Sequence, residues 1–359
     1  MKRITCPVCF LARSARPWTL CLTILSLIAA TVVLMASGGC GPSASGGNEP
    51  SHDLLAKAQT EPAAKPAGAE SPSDIRAGEK KTGVLLVSHG SHSDQWREML
   101  EDVEQDVSER VLAIPGINGI KSAFMEYTEP SIATQLKAFD DEGYTQVILV
   151  PLLLTVSGHS FDDIPTIIGA KDDAKALAML EAEGIERYLP RAKVTITPLL
   201  DFSSLLETNL ARRVGRLTKD PANEGVVLVA YGDAEYDDEW VALFRDIGEK
   251  LKAETGISMA THAWCGHLVS YKTQPTVDAI KRVLAAHERA IVVPVLVAYD
   301  QTFQGKIIGG AVNEVGEKDR VVYTPDAILP EPALNEWIVS ISKQTREALA
   351  KTDAKESQP

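Results

Sequence analysis

The sequence predicts an α/β protein built as two similar doubly wound parallel-sheet lobes with a cleft between them. Three observations predict this. Apolar runs such as Val84-Leu-Leu-Val87 and Val147-Ile-Leu-Val150 are continuous, as in parallel strands buried on both faces. Helical stripes lie between these runs, and alternating β and α elements make doubly wound sheets. The plan is also repeated within the chain. Gly83-Val-Leu-Leu-Val-Ser-His-Gly-Ser91 is echoed by Gly225-Val-Val-Leu-Val-Ala-Tyr-Gly-Asp233, and Val147-Ile-Leu-Val-Pro-Leu-Leu-Leu154 by Ala290-Ile-Val-Val-Pro-Val-Leu-Val297. Two such halves invite a ligand cleft between them.

Each half has the order strand, helix, strand, helix, strand. The first strand ends at His89. Trp96, Leu100, Val103, Val107 and Val111 then fall on one helical face, with Ser93 or Asp94 as the N-cap. The second strand ends at Glu126. Pro130 suits the first turn of the next helix, with Ile132, Leu136 and Phe139 inward and Gly143 as its stop. In the second half Trp240, Phe244, Ile247 and Leu251 repeat the first stripe.

Residues 1–40 form an export segment. Basic residues precede the almost wholly apolar Trp18 to Ala36, as in a signal peptide or signal anchor. About 20 apolar residues also suffice to span a bilayer. Small residues before Cys40 resemble a bacterial lipobox, which would make Cys40 the lipidated N-terminus, although Ser37 stands where that motif prefers leucine. Either anchor tethers the protein to a membrane, facing the periplasm or cell exterior. Residues 41–81 are rich in Pro, Ala, Gly, Ser and Glu and lack an apolar period, so they are expected to be a disordered tether. A coil of about 40 residues reaches roughly 35 Å. Residues 82–222 form the lobe that carries the site, 223–346 a degenerate copy, and 347–359 a polar tail.

The formal net charge is −13, and residues 1–39 contribute Lys2, Arg3, Arg13 and Arg16 with no acid, so the remainder is more acidic still. That charge repels phosphate backbones and excludes nucleic acid as a partner. Of five cysteines, Cys6, Cys9, Cys21 and Cys40 lie in the export segment, which leaves Cys265. The folded part therefore has no internal disulfide and no cysteine set for an iron–sulfur centre. The lone Cys6/Cys9 pair is too little for structural zinc.

Ligands of parallel sheets bind beyond the C-terminal strand ends. His89, Glu126 and His159 fall there, far apart in sequence but on one edge, and Gly90 and Gly158 beside the histidines leave room for a flat ligand. Two neutral imidazoles and a carboxylate suit a borderline transition metal, and histidine also works as a base at neutral pH. Taken singly, each of the three is as well explained as a structural or surface residue.

Ser88-His-Gly-Ser91, Phe124-Met-Glu-Tyr-Thr-Glu-Pro-Ser131, and Val150-Pro-Leu-Leu-Leu-Thr-Val-Ser-Gly-His159 with Asp163-Ile-Pro165 resemble the sirohydrochlorin cobaltochelatase and ferrochelatase family, the class II chelatases. The resemblance is close from Gly83 to Pro165 and looser over the second half. It implies a chelatase-like fold. It also implies ATP-independent insertion of cobalt, iron or nickel into sirohydrochlorin or a relative, with the metal as substrate and no tightly bound cofactor. By motif position His89 and His159 match the metal-handling histidines and Glu126 the carboxylate. Whether His159 accepts protons or donates to metal stays open.

The chain departs from the family pattern in several places. His92 stands where members often carry arginine, and would add a ligand or remove a contact to a substrate carboxylate. Tyr231, Tyr271 and Thr302 stand opposite His89, Glu126 and His159, so the second half is expected to serve as lid and scaffold. Cys265 and His267 would share a strand face with His262 opposed. Because the substrate is a polycarboxylate, local cations such as Arg97, Lys272 or Lys306 would have to line the cleft. The alternative reading is an exported tetrapyrrole or metal carrier that has lost turnover. A phosphohydrolase is disfavoured by the absence of an Arg-His-Gly motif and of a glycine-rich P-loop.

Overall fold

The computed structural model describes residues 80–153, 157–200 and 202–356, all within one compact unit. The expected export segment (residues 1–40), and the expected tether (41–81) apart from its last two residues, lie outside the described residues.

The first half runs β1 (Thr82–Ser88), α1 (Asp94–Leu112), β2 (Ile117–Phe124), α2 (Ile132–Asp141) and β3 (Gln146–Pro151). A wide π turn (His159–Asp163) follows, then α3 (Ile164–Ile167), α4 (Ala174–Glu183), β4 (Lys193–Ile196) and α5 (Phe202–Leu217). The second half runs β5 (Glu224–Ala230), α6 (Asp237–Thr255), β6 (Met259–Trp264), α7 (Gln274–Ala286) and β7 (Arg289–Val295). It continues through a second π turn (Gln301–Ile308) to α8 (Gly309–Val315), β8 (Val321–Tyr323) and α9 (Pro332–Glu356). Residues 347–356 of the polar tail are thus helical.

Two four-stranded parallel sheets result, ordered β2-β1-β3-β4 and β6-β5-β7-β8. This is the predicted doubly wound α/β fold in two similar lobes. Each sheet carries a fourth strand that the sequence pattern did not signal. β4 and β8 are edge strands of four and three residues, and β4 has no fully buried residue, so neither leaves an apolar run long enough to read as a strand.

The continuous runs follow from burial on both faces. Val84, Leu86, Ile148 and Val150 point into one core, and Leu85, Val87, Val147 and Leu149 into another. The first of these cores also contains Val226, Leu228 and Val293 of the second sheet and is shared by both lobes. The stripe Trp96, Leu100, Val103, Val107 and Val111 is buried in it, each side chain of this size contributing roughly 1.5–3 kcal/mol. Ser93 caps α1, its hydroxyl accepting from Trp96 N at 3.3 Å, while Asp94 occupies the first turn.

Pro130 lies outside α2, before the capping Ser131 and after a cis Glu129–Pro130 bond. The sequence reading had placed it in the first turn of the helix. Ser131 competes successfully for the cap because its hydroxyl can accept from Thr134 N.

The last helix of each half crosses to the other sheet. α5 packs on α6 and β7, and α9 packs on α1 and β3. Arg213 of α5 pairs with Asp326 of the second half. Arg110 of α1 pairs with Glu336 of α9 at 2.6 Å, and Lys80 with Asp353 at 2.6 Å.

Candidate metal centre

Parallel register brings the ends of three strands together. Ser88 pairs with Phe124, and Val87 with Pro151. The ladder continues past the strand ends, with Met125 N donating to Ser88 O and Glu126 N to His89 O, both at 2.9 Å. His89 and Glu126 are therefore held by their backbones. Gly90, at φ 103°, makes this approach feasible, because a Cβ there would lie 2.0 Å from Glu126 O. Gly158 differs. Its backbone is ordinary helix and a Cβ would meet nothing within 4 Å among the described residues, so the space beside it is open.

His159 opens the first π turn, and π turns are frequent at functional sites. Its ring lies 4.9 Å from that of His89, edge to face. Glu126 is buried between the two, 3.9 Å from His89 Nε2 and 3.9 Å from His159 Nδ1. One ligand atom from each of His89, Glu126 and His159 lies within 4.8 Å of the others. Around a tetrahedral ion with bonds near 2.0–2.1 Å, donors would stand about 3.4 Å apart. The trio is therefore assembled but slightly open.

One nitrogen of each ring is occupied. His89 Nδ1 lies 3.1 Å from Gly90 O, and a carbonyl can only accept, so Nδ1 carries the proton and Nε2 keeps a lone pair. His159 Nδ1 donates to Asp163 Oδ2 at 2.8 Å, leaving Nε2 for a ligand. Such a carboxylate–histidine pair fixes ring orientation and raises basicity at metal sites. Asp163 lies within the family-like motif, but nothing in the sequence alone gives it a role. The four-residue spacing from His159 was the available signal, and it meant little before the turn was known.

The two imidazoles are pushed in opposite directions. Burial, then the neighbouring His159, lowers His89, with Glu126 partly offsetting them. Burial also lowers His159, but the Asp163 hydrogen bond, Glu126 and more distant Asp233 outweigh it, and the net shift is upward. Glu183 at the end of α4 is raised by burial and by Glu126. One imidazole is thus poised to bind as a neutral ligand and the other to hold a proton.

Other expectations change. His92 is exposed and sits against the Tyr127 ring at 4.8 Å, outside the trio. Arg97 is spent on its own loop, donating to Ser91 O at 2.7 Å and pairing with Asp94. Lys272 and Lys306 are exposed. Cys265 and His267 do not share a strand, because β6 ends at Trp264. Cys265 is buried, its thiol pushed up to about 12 by desolvation, while exposed His267 opens a separate tight turn. In the second lobe Gly266 N donates to Tyr231 O, as Glu126 N does to His89 O, so Gly266 rather than Tyr271 takes the place of Glu126. The longer loop from 267 to 273 displaces Tyr271.

Comparison with known proteins bears on this site directly. Residues 83–217 match the CbiX family model. The match contains His89, Glu126, His159 and Asp163. A sirohydrochlorin cobaltochelatase from Saccharolobus solfataricus is 27% identical over 133 residues, 37% of this chain and 92% of that protein. One from Methanococcoides burtonii is 32% identical over 89 residues, 25% of this chain and 65% of that protein. The sirohydrochlorin chelatase SirB from Bacillus subtilis subspecies spizizenii, solved in complex with cobalt, superposes with a TM-score of 0.53 at 17% identity. That alignment covers 74% of this chain and 96% of SirB. The CbiX match thus covers the first lobe, whereas the structural likeness, which concerns the fold alone, covers most of both.

Proposed function

We propose that this protein inserts a divalent metal, cobalt, iron or nickel, into sirohydrochlorin or a related tetrapyrrole without ATP. The observation that carries the proposal is the convergence of His89, Glu126 and His159 at one sheet edge, within the segment that matches CbiX. Two imidazoles and one carboxylate hold a dication without the grip of a thiolate cage, so the ion can be passed on. A slightly open trio serves transfer better than storage.

Insertion exchanges one dication for two pyrrole N–H protons. His89, kept neutral, presents Nε2 to the metal. Glu126 offsets part of the positive charge and accepts a proton. His159, made basic by Asp163, takes a proton or completes the metal's shell before release. Residues 82–222 carry this chemistry, and residues 223–346 close the other side of the cleft. The protein acts outside the cytoplasm, tethered through residues 1–40 by a lipid on Cys40 or an uncleaved anchor.

The test is an anaerobic absorbance assay of the full chain with sirohydrochlorin and cobalt, nickel or iron(II) in turn. Metal-dependent spectral change over many turnovers is expected. His89→Ala and His159→Ala should each abolish it with little change in circular dichroism or Tm, and Glu126→Gln should slow it. Stoichiometric binding without turnover would leave a carrier, and full activity in both histidine variants would remove the trio from the mechanism.

A further inference from the structure

Resting on that reading, we propose that Asp300 of the second lobe is a positioning residue for the metal centre of the first, acting through Ser91 to hold the His89–Gly90 loop in its metal-binding shape. Ser91 Oγ donates to Asp300 Oδ2 at 3.0 Å, from one lobe to the other. Both side chains are half-buried. The acceptor is a carboxylate, which makes the bond stronger than one between neutral groups.

The bond matters because of what Ser91 is joined to. The peptide unit between Gly90 and Ser91 carries the carbonyl that takes the His89 Nδ1 proton at 3.1 Å. Its orientation decides which imidazole nitrogen is left for metal. On the His89 side the backbone is fixed by Glu126 N, which donates to His89 O. Gly90 follows at φ 103°, without a side chain to restrain it, so the peptide is held only if Ser91 is held. Ser91 Oγ accepts from Ser93 N at 3.0 Å, and Ser91 O accepts from Arg97 at 2.7 Å. Those two bonds fix Ser91 to the start of α1. The hydroxyl proton gives the third tie, and it goes to the second lobe.

Asp300 is itself held firmly. Its Oδ1 accepts from Thr302 N at 2.7 Å, capping the second π turn, and its N donates to Gln304 Oε1 at 3.0 Å. Gln304 is fully buried, and its Nε2 donates to Ala298 O at 3.1 Å and to Asp326 O at 3.3 Å. Asp326 in turn pairs with Arg213 of α5. The neighbouring Tyr299 N donates to Met99 Sδ of α1 at 3.3 Å, a second bond between the lobes. The carboxylate is thus the end of a buried frame and not a loose surface group. In the repeat, Asp300 stands opposite Ser157, as Thr302 stands opposite His159. The loop that carries a metal ligand in the first lobe therefore carries, in the second, a brace for the other ligand loop. A lobe that lacks the trio still takes part in the metal centre.

The test is calorimetric titration of cobalt(II) into the full chain and into its Ser91→Ala, Asp300→Ala and double variants, beside thermal melts and the visible spectrum of bound cobalt. Each single variant should weaken cobalt binding about tenfold, the lower end of what loss of a ligand's outer partner costs, and should alter the cobalt absorption bands. The double variant should bind no more weakly than either single one, because the same bond is lost in all three. That non-additivity corresponds to a coupling of about 1.4 kcal/mol. Ser91→Ala leaves the Asp300 cap of the second π turn in place, so it carries the test even if Asp300→Ala disturbs that turn. Unchanged cobalt affinity and spectrum in either single variant overturn the brace, whatever Tm does, since the bond then serves packing alone. Additive losses overturn it as well, since the two residues then act separately. Neither result touches the chelatase reading. The expected pattern in a protein that turns over no sirohydrochlorin supports the brace and overturns the chelatase reading, and a wild type that binds no cobalt overturns both.

Discussion

At the scale of single residues, the proposed chemistry depends on how two similar imidazoles are made different. Gly90 O fixes the His89 tautomer and burial keeps its ring neutral, while Asp163 makes His159 the more basic partner. Metal and proton compete for His159 Nε2. Because its pKa is raised above 6.5, metal affinity should rise with pH through that raised value and level off above it. Asp163→Asn removes the main raising influence, so the midpoint of zinc or cobalt binding should move to lower pH. Loss of the orienting carboxylate should also weaken the plateau by about tenfold. Calorimetric titrations between pH 5 and 9 check both, and an unmoved midpoint would assign Asp163 to packing. Folding stability runs the other way. A raised folded pKa contributes stability fully below 6.5, and this is lost as pH rises through the folded value.

Among elements, the loops that follow the strands hold the site, and their backbones decide which residues meet. Glu126 reaches the trio because the β1–β2 ladder continues past Phe124, with Gly90 giving way. Gly90→Ala forces a Cβ into Glu126 O and should cost roughly 1–3 kcal/mol or more, lowering Tm and disabling metal binding together. Gly158→Ala, at an ordinary φ with open space, should leave Tm within about 1 °C of wild type. Thermal melts of the two variants separate them, and equal behaviour would contradict the assigned constraint. The His89 and Glu126 placements were legible because a parallel strand run announces its own C-terminal end. The counterpart of Glu126 in the second half was not. Phe124–Ser131 and Val269–Thr276 align through their prolines, whereas the backbone hydrogen bonds align Glu126 with Gly266.

The whole molecule is tied together by the crossing of α5 and α9. The shared core contains the inner faces of both sheets, so each half leaves apolar surface open without the other's helix. Residues 82–222 or 223–346 expressed alone should bind hydrophobic dyes and lack a cooperative melt, and mixing them should recover structure. A cooperative, monomeric fold of residues 82–222 would disprove this. The expected export segment makes a separate prediction. Full-length protein should fractionate with membranes, and Cys40→Ala should release it if a lipid is the anchor but not if residues 18–36 remain inserted. Wild-type protein found wholly in the cytoplasm would remove the tether.

The sequence by itself determined the fold class, the strand-end positions of His89 and Glu126, the place of His159 in the loop after the third strand, and the inward helix stripes. These are local consequences of apolar period and of the rule that parallel strands end along one edge. Only the tertiary structure decided which lobe each closing helix covers, because an apolar stripe states that a face is buried and not against what. It also decided that Asp163 orients His159, that Cys265 and His267 diverge, and that Gly266 rather than Tyr271 takes the place of Glu126 in the second lobe. Such relations depend on turn geometry and on distances between residues remote in sequence, which no local pattern encodes.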